Sequence, residues 1–196
     1  EPNLTAEVRD TIFDNIQLPA VIQAYRIPAQ GTKDYYAVDM VSRILSNGES
    51  SRLYRSLVDE QQKALFVGNF PLALEDPGLS LSFGIVNMGV DVFELEKAID
   101  AEVSKIQNEL ISEKEFEKLR NQIESEFVTN NSRVAGIAES LATYHMFFGD
   151  ANLINNEIDR YLAVTREDIM AAAKKYLVKN NRIVLHYLPK SQESKS

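Results

Sequence analysis

The sequence predicts an α+β domain in which an antiparallel sheet is covered by helices. Three observations carry that expectation. Strand-like and helix-like segments come in blocks (strands, two helices, a hairpin, four helices, a closing strand), without the strand–helix alternation that builds a parallel sheet. Residues 65–70 and 79–85 alternate large apolar residues with small or polar ones, the period-2 pattern of strands whose two faces meet different surroundings. Elsewhere, apolar residues recur at helical spacing behind capping residues.

In chain order, residues 8–28 read as one or two strands, rich in β-branched and aromatic residues, with Pro19 confined to a strand start or an edge because it cannot donate to a ladder. After the Gln30-Gly31 turn, Asp34 is placed to cap a helix whose stripe is Ala37, Val38, Val41, Ile44 and Leu45, a helix with one buried face. Gly48 can take the positive φ that ends it, and Ser50 or Ser51 can cap a second helix from about 51 to 61, which buries Leu53, Tyr54, Leu57 and Val58. The alternating strands follow, joined through the turn Glu75-Asp76-Pro77-Gly78. One face of that hairpin is expected to pack on helices, and the other to be solvated or to line a cavity.

Asp91 with Glu94 and Ser112 with Glu115 have capping spacing, each opening a helix: Leu95, Ile99, Val103, Ile106 and Leu110 line the first, and Phe116, Leu119, Ile123 and Phe127 the second. The second runs toward Phe148, with or without a break near Asn130 or Gly136, and Gly149 stops it. A short helix bears Leu153, Ile158 and Tyr161. Thr165 with Asp168 caps the last, Asn180-Asn181 turns the chain, and residues 182–188 form the closing strand. Residues 1–190 are read as one domain and 191–196 as a polar tail.

A chain of 196 residues, 44% hydrophobic and 26% charged, is long enough to bury a sizeable core. No stretch approaches the roughly 20 apolar residues of a membrane helix. The net charge of −8 and the absence of a clustered basic face argue against nucleic-acid binding. With no cysteine, neither a disulfide framework nor a thiolate metal site is available, which leaves cytoplasm and periplasm equally open. A start at Glu1 without methionine reads as a fragment of a longer protein.

The residues offer little catalytic chemistry. His145 and His186 are the only histidines, and neither has a histidine or carboxylate partner at helical ligand spacing, so neither is expected to bind metal. There is no Gly-x-Ser-x-Gly elbow, and Ser50-Ser51 is read as a helix cap. Arg52 and Arg55 are read as a solvated helix face, and most carboxylates as polar helix surfaces.

The words are more telling than the spacings. Gly48-x-Ser50-Ser51-Arg52-Leu53-Tyr54-x-x-Leu57-Val58-x-Glu60 resembles the C-terminal, non-zinc domain of M16-family (pitrilysin-like) metallopeptidases. So do Gln17-Leu18-Pro19, Tyr25-Arg26-x-Pro28, Asp34-Tyr35-Tyr36-Ala37, Glu75-Asp76-Pro77-Gly78-Leu79, Phe148-Gly149-Asp150-x-Asn152-Leu153, Tyr161-x-x-Val164-Thr165-x-Glu167-Asp168-Ile169 and Ala173-x-Lys175-Tyr176-Leu177, all in the family's order. The resemblance covers nearly the whole chain. It implies a bacterial zinc metalloendopeptidase whose metal lies in an N-terminal M16 domain outside this sequence, since the family's inverted His-x-x-Glu-His motif is absent here. The implied role is one wall of a peptide-binding chamber. The implied partners are the zinc-bearing domain, a second M16 half or subunit in a homo- or heterodimer, and a peptide substrate, which an unpaired strand edge can hold as an added strand. Some C-terminal M16 halves carry a substrate-holding Arg with a Tyr seven residues on, and those positions match Val58 and Leu65, both apolar here and expected to be buried against the domain's own helices or a partner domain. Arg52, Arg55, Val58 and Leu65 are therefore the candidate substrate- or partner-contact residues, with no metal or cofactor expected in this chain itself. The departure suits the half whose missing N-terminal domain holds the zinc, and Tyr187-Leu188-Pro189-Lys190 resembles the ends of short, zinc-containing bacterial members. The alternative is a non-proteolytic M16-like scaffold or subunit-interaction protein.

Overall fold

The computed structural model describes residues 4–190. The expected polar tail, 191–196, lies outside the described residues. Strands β1 (Val8–Asp14) and β2 (Ala20–Ile27) come first, then helix α1 (Lys33–Ser46) and a π-helical segment, Tyr54–Glu60. The hairpin β3 (Ala64–Leu72) and β4 (Gly78–Val86) precedes five helices: α2 (Val92–Asn108), α3 (Glu113–Asn130), α4 (Val134–Phe148), α5 (Leu153–Leu162) and α6 (Arg166–Tyr176). Strand β5 (Arg182–Pro189) closes the chain.

The sheet order is β1-β5-β2-β4-β3. Three pairings are antiparallel, as expected, but β1 runs parallel to β5. The physical reason is an inserted neighbour. The short link 15–19 can span one strand position at roughly 3.3 Å per residue, so β1 and β2 lie apart and the returning C-terminal strand fills the gap between them.

The capping spacings act as expected. Asp91 accepts from the Phe93 amide at 2.7 Å, Ser112 from the Glu115 amide at 3.2 Å, and Thr165 and Asp168 form a reciprocal capping box. Gly48 has φ +79°. The break after α3 is real, and Gly136 explains its closeness: a Cβ there would overlap the Asn130 carbonyl. Two capping expectations are corrected. Thr32, not Asp34, precedes α1, because the Asp34 carboxylate is held by the Lys175 ammonium (2.7 Å) and the Tyr176 hydroxyl (2.6 Å) on α6. At the second helix no side-chain cap forms, and the Ser50 hydroxyl instead accepts from Lys118.

The helix α1 is buried almost all round, from Tyr35 to Leu45, rather than on one face, because β3, α5 and α6 enclose it. Its residues join Val21, Tyr25, Leu53, Leu57, Leu95, Ile99, Ile106 and Ile169 in one apolar core.

The polarity of the sheet is the feature that positions everything else. On β4 the residues turned toward the helices are Gly78, Ser80, Ser82 and Gly84, all small and buried. Small residues let α2 approach, and Leu95 Cδ2 lies only 3.0 Å from where a Gly84 Cβ would stand. The large residues of the same alternation, Leu79, Leu81, Phe83 and Ile85, therefore face the other way, where no described helix covers them.

Candidate contact surfaces and a buried charge layer

The four sequence-predicted contact residues do not form one site. The structure gathers Arg52 and Arg55 at an open cleft of 760 Å³ between the π-helical segment and the facing ends of α2 and α3. Arg52 is bidentate to Glu115, its Nε at 2.9 Å and Nη2 at 2.7 Å, while Arg55 is exposed and 3.6 Å from Glu60. Beneath them the Ser56 hydroxyl donates to the buried Glu102 carboxylate at 2.6 Å, which also receives Lys105 at 2.7 Å. Both guanidinium edges of Arg52 that face Glu115 are engaged, so Arg52 is a structural clamp rather than the solvated face expected of it. Val58 is half-buried against the core, in line with the apolar stripe. Leu65 is not buried by this domain's own helices: at 53% exposure it sits where the β3–β4 register slips, on the edge strand, and no described helix covers it, which leaves a partner domain as the cover the expectation allowed.

The uncovered face of the sheet is broadly apolar. Phe66 and Phe70 flank Phe83, with ring centroids 5.4 and 5.8 Å from it, and the row continues through Ile85, Ile22, Leu185 and Ile183 to Ile12 and Val8. Phe66 is 52% exposed and Phe70 45%. Monomeric surfaces rarely leave so continuous an apolar patch without a use.

The opposite face, under α2, carries a layer of charge that the sequence reading missed. Arg182, 2% exposed, donates through Nη1 to Asp100 at 2.6 Å and to the Tyr25 hydroxyl at 3.0 Å, and through Nε to Glu7 at 2.5 Å. Arg9 grips both oxygens of Glu96 at 2.8 and 2.6 Å. His186 Nε2 lies 2.7 Å from Glu96 Oε2, with its ring edge-on to Phe93. Burial pushes the Glu96 carboxyl up, but hydrogen bonds from Arg9 and His186 and their charges outweigh it and hold the group below its ordinary range. Glu7 follows the same pattern, with Arg9 and Arg182 as its partners. Burial raises the Tyr25 phenol to about 12, so it stays a neutral donor and acceptor. The missed signal was the period-2 set Arg182, Val184, His186, which must share a face with the Glu96 and Asp100 turn of α2 only if that face is the covered one.

His145 is exposed in the last turn of α4, far from this layer in sequence and in surroundings. Among the described residues, no group of three His, Cys, Asp or Glu side chains is placed to hold a metal ion.

Comparison with known proteins fits this arrangement. The sequence model of the Peptidase M16 inactive domain matches residues 1–123. The chain belongs to the M16 peptidase family. Zinc protease PqqE of Helicobacter pylori is 28% identical over 163 residues, covering 83% of this chain and 36% of that protein. The fold is shared with a solved protease from Helicobacter pylori, at TM-score 0.90 and 23% identity over 96% of this chain and 46% of that one. It is shared too with an M16 inactive domain from Pseudomonas fluorescens, at TM-score 0.81 and 15% identity over 96% of this chain and 44% of that one. The M16 domain described here thus spans about a third of the curated relative's length and less than half of these two solved chains.

Proposed function

We propose that this chain is the non-catalytic C-terminal domain of an M16 zinc metalloendopeptidase and forms one wall of its peptide-binding chamber, with zinc and general base supplied by a separate N-terminal M16 domain. The single observation that carries the reading is the second apolar face of the sheet: the domain already has a core with Val21, Tyr25, Ile27 and Val184 under the helices, yet large apolar side chains also line the uncovered face. An uncovered row of Phe66, Phe83, Phe70 and Ile85 suits side chains of unfolded peptides, which it can bind with little sequence preference. The zinc-protease name of the 28%-identical relative supports the activity of the whole.

The test uses the full-length protein with Phe66→Ser and Phe70→Ser. The reading expects bound zinc and cleavage of peptides by the wild type, and in the variant a KM raised about fivefold or more with kcat within about twofold, since binding is lost equally from ground and transition states. An unchanged KM counts against the wall. A full-length wild type without zinc or peptidase activity favours the scaffold reading instead.

A further inference from the structure

Strand β1 is attached unlike any other strand. It sits at the sheet edge, pairs only with β5, and contributes no residue to the buried apolar core, which begins at Val21. Val8 and Ile12 are 45% and 39% exposed. With Phe13 only half-buried and Val8 and Ile12 exposed, the strand buries little apolar surface to offset the conformational entropy it loses. Charge takes that place. Arg9 reaches across to both oxygens of Glu96 on α2, Glu7 just before the strand receives Arg182 of β5 and Arg9 itself, and at the far end the Tyr187 hydroxyl donates to Asp14 at 2.9 Å.

The anchors on the other side do not depend on β1. Without Glu7, Arg182 keeps Asp100 through two nitrogens and the Tyr25 hydroxyl. Without Arg9, Glu96 keeps His186 at 2.7 Å and Arg182 at 3.6 Å. Departure of the strand therefore leaves no buried charge without a partner, which is the condition for opening one element while the rest stays folded.

We propose that β1 is a latched, detachable strand whose release uncovers the β5 edge as an acceptor for an extended segment of another chain, one carrying a basic residue at the position of Arg9. The backbone ladder of β5 supplies the pairing, and the Glu96 carboxylate selects the cation. The latch lies on the face under α2 and the acceptor edge is the one opposite β3, while Val8 and Ile12 belong to the uncovered row; the readouts follow β1 and its latch and do not depend on peptide cleavage.

Hydrogen exchange and peptide uptake test it on the 196-residue chain. In the wild type the β5-bonded amides of β1 should exchange faster than those of β2 and β4. In Arg9→Gln they should exchange about tenfold faster again, with β2, β4 and α2 unchanged. A fluorescent peptide of residues 7–14 should bind Arg9→Gln more tightly than wild type, and the same peptide with Gln for its arginine should bind about tenfold more weakly. Exchange of β1 in step with β2 and β4 overturns the proposal, as does failure of the peptide to bind Arg9→Gln. Glu7→Gln, which removes the other half of the latch, gives the same readouts should Arg9→Gln not fold.

Discussion

At the residue scale, the decisive side chain is Arg182. It is 2% exposed, and its hydrogen bonds tie β5 to Asp100 on α2, to Tyr25 on β2 and to Glu7 before β1. Replacing it by Met removes the cation but leaves the carboxylates in place, so Arg182→Met should cost about 3–5 kcal/mol in chemical denaturation, the range for breaking a buried pair on one side. Acid should act on the same layer. The folded-state pKa values of Glu7 and Glu96 are lowered, so their contribution is fully present above the unfolded carboxylate value of about 4.3 and is lost as pH falls through the lower folded value. Stability followed from pH 6 downward should therefore drop below about pH 4.3 in the wild type, and less steeply in Arg182→Met. Parallel acid curves would mean that the layer is not the acid-sensitive element. None of this was legible in the sequence, because a charge reads as buried only once a covered face is known. Gly48, by contrast, was legible: a glycine between two helical stripes states its positive φ locally.

At the element scale, helices and caps were readable because their signals lie within a few residues: Asp91, Ser112 and the Thr165–Asp168 box all act where their spacing put them. The parallel β1–β5 pairing was not readable, since it joins segments separated by nearly the whole chain and no local pattern encodes the partner. The element with the least support is α4, an apolar helix with no buried residue, held chiefly through α5. Its start depends on Gly136, where any Cβ meets the Asn130 carbonyl. Gly136→Ala gains helix propensity of about 1 kcal/mol in isolation, but the overlap with backbone outweighs it. The expected outcome is faster hydrogen exchange across α4 and the end of α3, with α1 and β2 unaffected. Equal or slower exchange in α4 would show that the hairpin relaxes freely and that propensity wins.

At the scale of the whole molecule, the alternation of 79–85 announced two unlike faces, but not which one the helices would take. The small residues decided it, because Leu95 of α2 sits close over Gly84, and the aromatic face was left outside. That ordering makes a prediction about the isolated chain. If the open face is a surface built to be covered, the chain alone should bind a hydrophobic dye and associate weakly as concentration rises, with Phe66 and Phe70 on the edge strand β3 as the contact. Phe66→Lys with Phe70→Lys should abolish both behaviours, because a charged edge refuses pairing. The cost to folding should be small: each ring is about half exposed, and the loss of its contact with Phe83 is worth about 0.5–1.5 kcal/mol. A double variant that loses dye binding, stays monomeric in sedimentation and unfolds only about 1–3 kcal/mol less stably fits a face awaiting a partner. A loss above about 5 kcal/mol would instead make these rings part of the domain's own core, and the face would then have no claim to be a contact surface.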